Sequence, residues 1–281
     1  MTKHKTHSEL AGTSKREQLR QQQAQAAQAA KLKRTITFSV IGVALLTLIA
    51  VIVVVVFNNN SKSNDPTSTL GADQIKPPNA SADDYSIVVD PGKALSDAII
   101  LDIHTDYQCP YCAAYEGYFG QTFRELAERG DIELRIHPRT VIGDWLIGND
   151  SSLRASTAVA CADVVGKFYD LHSTIFANQP EKEGVGYTDE QLRSTFPRSA
   201  GITGENLATY QQCYDNRLTE GWVRASENEG YNHALPDAED TRYHVGIRAT
   251  PTFLVNGKLV SLSQTTDFST DGVLQLLKAA A

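Results

Sequence analysis

The chain has 281 residues, and its formal net charge of −7 hides two stretches of opposite sign. Residues 1–34 hold eight Lys or Arg against Glu9 and Glu17, a net of +6, which leaves −13 on the remainder. So acidic a remainder argues against nucleic acid as a partner.

The basic segment 1–34, with its Gln- and Ala-rich tract from Gln21, reads as a cytoplasmic tail that sets topology. Thr35 to Phe57 follows as 23 residues without a charged side chain. As a helix it would span roughly 34 Å, enough for a bilayer core of about 30 Å. The alternative is a cleaved signal peptide, but the run is too long and no small-residue cleavage site follows it. No cysteine sits at its outer end, which argues against a lipoprotein anchor. The expectation is a single-pass cell-membrane protein with its N-terminus in the cytoplasm and everything after Phe57 outside. Residues 58–84, with Pro66, Pro77 and Pro78, read as a flexible tether.

Residues 85–281 leave about 200 for one folded domain. Strands are expected near Ser86–Val89 and Ala98–His104, the second a short apolar run of branched residues. A helix follows from Pro110, with Tyr111, Tyr115, Phe119, Phe123 and Leu126 at helical spacing. Asp131–Ile136 alternates polar and apolar residues as a third strand. Helices are expected at Ser152–Phe168, Tyr169–Phe176, Asp189–Phe196, Glu205–Asn216 and Thr219–Glu229. The chain then returns to strand at Pro251–Val255, turns at Asn256-Gly257 into Lys258–Val260, and ends in a helix from about Thr270 to Ala279.

The chemistry concentrates at Cys109-Pro110-Tyr111-Cys112, a dithiol at a helix start. Pro110 suits the first turn, where its missing N–H is no loss. That leaves Cys109 at the helix N-terminus, where free N–H groups and the dipole favour a thiolate. Cys161 and Cys213 lie within expected helices, and outside the cytoplasm such a pair is read as a structural disulfide. The competing readings are a second redox relay and a zinc site built from all four cysteines. Only one CxxC exists, and neither these cysteines nor His137, His172, His233 and His244 have metal-ligand spacing, so no metal is expected. Trp145, Tyr115 and Phe119 read as core residues, with a groove for unfolded chains as the alternative; Trp222 reads as core.

With Asp106-Tyr107-Gln108-Cys109-Pro110-Tyr111-Cys112 and Gly246 to Gly257 flanking a helical stretch, residues 85–281 resemble the DsbA-like oxidoreductases of the thioredoxin fold. The likeness is to the membrane-anchored thiol–disulfide oxidoreductases of Gram-positive and actinobacterial cells. The resemblance implies an α/β thioredoxin core with a helical insertion at about 143–242. It implies Cys109 as the exposed nucleophile, Cys112 as the buried resolving thiol, and Pro251 as a cis-proline facing them with Thr250 before it. Tyr111 between the cysteines would tune the redox poise and touch substrate. Many family members carry a buried acid six residues before the first cysteine; here Ile103 stands there, with Asp102 beside it on the other strand face. Asp106 and His104 are the substitutes for that proton relay, the first readable equally as an ordinary loop or capping residue and the second as a packed strand residue.

Three functions fit. The first is an oxidase that donates the Cys109–Cys112 disulfide to unfolded exported proteins and is reoxidised by a membrane partner of the VKOR or DsbB kind. The second is a reductase or isomerase, since direction follows relative potentials. The third is a non-catalytic anchored module. No cofactor beyond the redox-active pair is expected, and a monomer is the default.

Overall fold

A computed structural model describes residues 74–263 and 265–281. The expected cytoplasmic tail, the membrane span at 35–57 and the tether as far as residue 73 lie outside the described residues. Among the described residues no helix is long and apolar enough to cross a membrane.

The apolar runs become the strands of one sheet. β1 (Ile87–Val88), β2 (Ile99–Thr105), β3 (Ile132–Pro138), β4 (Thr252–Val255) and β5 (Lys258–Val260) lie in the order β1-β3-β2-β4-β5. β2 runs parallel to β3, with Ile99 opposite Ile132 and Thr105 opposite Pro138. The other pairs are antiparallel. β2 is central and buried along almost its whole length, which is why it reads as a continuous apolar run rather than an alternation. The parallel β2–β3 pair needs a crossover, and α1 (Pro110–Arg129) supplies it. That helix turns Cys112, Phe119, Phe123 and Leu126 inward at three- and four-residue steps.

Between β3 and β4 the chain is helical. A π-helical turn at Ile142–Ile147 leads to α2 (Ser151–Asp163) and α3 (Phe168–Ala177). A second π-helical turn, Gln191–Thr195, runs into the short α4 (Phe196–Ser199), followed by α5 (Gly204–Asp215) and α6 (Glu220–Asn232). A 3₁₀ turn at Thr241–Val245 returns the chain to the sheet, and α7 (Thr270–Ala280) closes it, capped by the Ser269 hydroxyl accepting from the Gly272 N–H. The fold is thus the expected mixed α/β core with a helical insertion. One helix expected at Ser152–Phe168 ends at Asp163 instead. Gly166, at φ 66°, takes the left-handed conformation that breaks the path before α3 starts. Cys161 on α2 and Cys213 on α5 are joined in a disulfide with Cα atoms 5.7 Å apart, and Trp222 is buried.

Residues 74–84, read from sequence as the end of a free tether, are docked. The Ile75 N–H donates to Leu218 O at 2.8 Å. Asn79 donates from its backbone N–H and side-chain amide to the Asp163 carboxylate at 2.7 and 2.8 Å, and Ala80 bridges Ile87. A buried polar strut ties the sheet to α6: Arg139, fully buried, donates to both Glu227 carboxylate oxygens at 2.9 and 3.2 Å and to Ile247 O at 2.9 Å.

Candidate active site around Cys109 and Cys112

Cys109 is the residue before the first helical turn of α1 and has extended backbone, with Pro110 in the first turn and no acidic side chain there. Its Sγ donates to Thr250 O at 3.3 Å, which brings the Thr250–Pro251 segment against the dithiol, and the Thr250–Pro251 bond is cis. Both thiols are free. Their environments push them apart. Cys109 is lowered to about 6: the Cys112 thiol hydrogen-bonds its sulfur and outweighs burial, helped by the Cys112 N–H, the Thr250 hydroxyl and the Tyr111 N–H. Burial, with the Cys109 charge and hydrogen bond, pushes Cys112 well above the ordinary thiol range. At neutral pH the pair is one thiolate and one thiol.

Cys109 is not the exposed residue that the resemblance implies. It is 3% exposed, because it forms the floor of an apolar pocket of about 420 Å³ walled by Tyr111, Ile142, Trp145, Leu146 and Ala249. The side chains in view are its neighbours, Pro110 and above all Tyr111 at 71%. Trp145, read from sequence as core, is 60% exposed. The π-helical turn carries it outward, where it stacks on Tyr231 at 5.0 Å and donates to Glu227. Phe119 is buried, and Tyr115 packs on Phe253 at 5.0 Å.

Asp106 is a loop residue rather than a helix cap, since α1 has no side-chain cap hydrogen bond at its start. Fully buried, it accepts at Oδ1 from the Gln108 N–H and the Ser152 hydroxyl and at Oδ2 from the Ile142 N–H, each at 2.8 Å. It thereby locks the loop before Cys109 onto the insertion. Burial pushes its carboxyl up to about 7 against the downward pull of those donors. His104 does not face the dithiol. Ile103 and Thr105 line the small cavity beneath Cys112, so the residue between them points to the other side of the sheet. There it stacks on His137 at 4.0 Å, with Arg139 at 3.4 Å. Burial, then the charges of His137, Arg139 and His233, hold it well below its ordinary range.

Sequence spacing missed two groupings. Glu116, one turn beyond Cys112, pairs with His172 of α3 at 3.2 Å. Its place four residues past a catalytic-type cysteine is the signal that could have marked it. Asp84, Asp102 and His137 converge within 4.8 Å from three separate segments. No spacing rule would find them, and Arg135 already sits 2.8 Å from Asp84.

The family profile described as Thioredoxin matches residues 96–271. Among solved structures, the thiol–disulfide oxidoreductase MdbA from Actinomyces oris superposes with a TM-score of 0.55 at 20% identity, covering 77% of this chain and all of that one. Reduced DsbG from Mycobacterium tuberculosis gives 0.50 at 20%, covering 69% and 86%. Oxidised DsbA from Mycobacterium tuberculosis gives 0.50 at 20%, covering 69% and 92%. At such identities the likeness is one of fold. Curated proteins called Na(+)/H(+) antiporter NhaA 1, from Mycobacterium sp. strains KMS and JLS, are 26% identical over 167 residues, 57% of this chain. The match takes in 22% of those proteins, so the chain spans about a fifth of the length of the curated relatives it matches.

Proposed function

The chain belongs to the thioredoxin family, and from that premise we propose that it is a thiol–disulfide oxidoreductase which donates the Cys109–Cys112 disulfide to unfolded exported proteins. The observation that carries this reading is the placement of Cys109 at the start of α1 with its Sγ against the cis Thr250–Pro251 segment and the buried Cys112 thiol one turn on. A Cys109 thiol lowered from 9.0 to about 6 favours the reduced form and makes the disulfide more oxidising than one between ordinary thiols. In the forward step a substrate thiolate attacks Cys109 Sγ. The Cys109–Cys112 bond breaks, and Cys112 leaves with the electron pair and is protonated. A second substrate thiolate then attacks the substrate sulfur of the mixed disulfide, closing the substrate disulfide and releasing Cys109 as thiolate. The apolar pocket beside Cys109 suits side chains of an unfolded chain rather than a small polar substrate.

The domain works outside the cytoplasm as a monomer on a membrane span at 35–57, and a quinone-linked membrane protein of the VKOR or DsbB kind reoxidises it. Two measurements test it. Iodoacetamide at mildly acidic pH should alkylate Cys109 before Cys112, and Cys112→Ser should accumulate mixed disulfides with exported proteins on non-reducing gels. A reduction potential near about −120 mV fits donation, whereas about −270 mV would assign the protein to disulfide reduction instead.

A further inference from the structure

The segment that carries the cis bond also carries a charge that the exchange chemistry leaves unused. Ile247 is fully buried. Its N–H donates to Gly230 O at 2.8 Å, and its carbonyl accepts from Arg139 at 2.9 Å. With Ile247 turned in, its neighbour Arg248 is exposed.

The position of that side chain is fixed. Gly246, at φ 133°, packs so close to α6 that a Cβ there would collide with Tyr231 O. The Arg248 guanidinium lies over the Tyr231 ring, 4.0 Å from its centroid, and its Nη2 donates to Val245 O at 3.1 Å. Tyr231 in turn stacks on Trp145 at 5.0 Å. The guanidinium is thus held in the wall of the pocket whose floor is Cys109. It stands two residues before Thr250, whose carbonyl touches the Cys109 sulfur.

Among the described residues lining that pocket, Arg248 is the one cation. Its partners there are the Tyr231 ring and the Val245 carbonyl, neither of them a counter-ion. Of the carboxylates in the wall, Glu227 accepts from Arg139, Thr140 and Trp145. Glu183 stands on a different segment, next to Gly184, whose carbonyl accepts from Asn149 at 2.9 Å.

We propose that Arg248 is a specificity-determining residue, which receives an Asp or Glu side chain standing beside the attacking cysteine of the substrate. The inference rests on the reading that Cys109 exchanges disulfides with protein thiols. A guanidinium stacked on an aromatic face still presents its edge N–H groups as a planar fork that fits a carboxylate. The stack has already fixed its rotamers, so little further ordering opposes binding. Apolar walls keep water and salt from screening the pair fully. Successive residues of an extended chain are about 3.4 Å apart. A side chain next to a sulfur at Cys109 therefore reaches a cation two residues from Thr250. The chain beyond residue 34 is acidic overall, which disfavours acidic segments at long range. Arg248 reverses that preference where the sulfurs meet.

The test oxidises reduced two-cysteine peptides with the disulfide form of the full chain in detergent. The peptides differ only in the residues flanking the first cysteine: Asp, Asn or Lys. Rates come from acid quench and chromatography, divided by each peptide's thiolate fraction. The wild type should oxidise the Asp peptide about five-fold faster than the Asn peptide. Arg248→Gln should bring that ratio to about one, and Arg248→Lys, which keeps the charge and loses the fork, should retain less than half of the preference. Arg248→Glu should favour the Lys peptide instead. Each ratio is taken within one protein, so a change in folded fraction or in the Cys109 pKa cancels. Glu183→Gln should leave the Asp-to-Asn ratio in place; a shift as large as that of Arg248→Gln would assign selection to the overall field and overturn the proposal. A ratio that survives Arg248→Gln overturns it as well. So does a wild-type ratio of one with both peptides oxidised, a result that leaves the exchange reading standing. A wild type that oxidises neither peptide would sink the exchange reading and this proposal with it.

Discussion

Thr250 shows how one side chain sets the chemistry of another across the fold. Its hydroxyl is buried without a hydrogen-bond partner, while the Cys109 thiol donates to its carbonyl. When Cys109 ionises it loses that donor and becomes an acceptor, and the orphaned hydroxyl is the group that answers. Thr250→Val should therefore raise the Cys109 pKa by about one unit, the size of a hydrogen bond to a charged group, and make the disulfide a weaker oxidant. Thiolate absorbance against pH measures the first effect and a glutathione equilibrium the second. The low pKa also couples to stability. Cys109 ionises at about 6 in the folded protein against 9.0 for an ordinary thiol. The reduced protein therefore gains stability as pH rises through 6, with the full gain present above about 9 and lost as pH falls back through 6. Against Cys109→Ser, denaturant melts of the reduced protein should show a gain on the order of 1 kcal/mol at pH 7 that grows toward pH 9. The dithiol and its helix-start position were legible in the sequence. The depth of Cys109 was not, because Trp145 and Ala249, which wall it in, come from remote segments. The side of the sheet that His104 faces follows from the alternation of β2, but with both faces covered nothing in its composition marks which side holds the thiols.

At the scale of elements, the insertion is held to the sheet by polar groups as well as by apolar packing. Arg139 is the last polar anchor of the β3 segment and Glu227 its partner on α6, both buried. Glu227 also accepts from the Thr140 N–H at 2.8 Å. Glu227→Ala should cost about 3–5 kcal/mol by leaving a guanidinium buried and unpaired, whereas Arg139→Met/Glu227→Leu together should cost much less. Denaturant midpoints of the two variants decide this. The strands were legible because each has a clean apolar run or alternation. The π-helical turns were not, since Ile142–Ile147 has the composition of an ordinary helical segment, and the turn is fixed by what it docks on. The split between α2 and α3 was readable in Gly166 but masked by the apolar residues on both sides of it.

Across the whole molecule, the insertion is stapled to itself by Cys161–Cys213, which closes 52 residues of chain. Breaking it as Cys161→Ser/Cys213→Ser should lower stability by on the order of 4 kcal/mol and leave disulfide transfer intact at low temperature. Loss of transfer in a folded double variant would reassign the bond as a relay. The order of strands, dithiol, helices and Thr-Pro segment was legible as a family pattern, and the docking of residues 74–84 was not, because its composition is that of a tether. The chain contains two tryptophans: Trp222 is 1% exposed, and Trp145 at 60% shares a wall with Cys109. The molecule thus carries its own optical gauge. Trp222 emits as a constant blue-shifted background, and the emission of Trp145 should rise and fall with the thiolate beside it, so that redox state and pocket occupancy can be followed in real time without a dye.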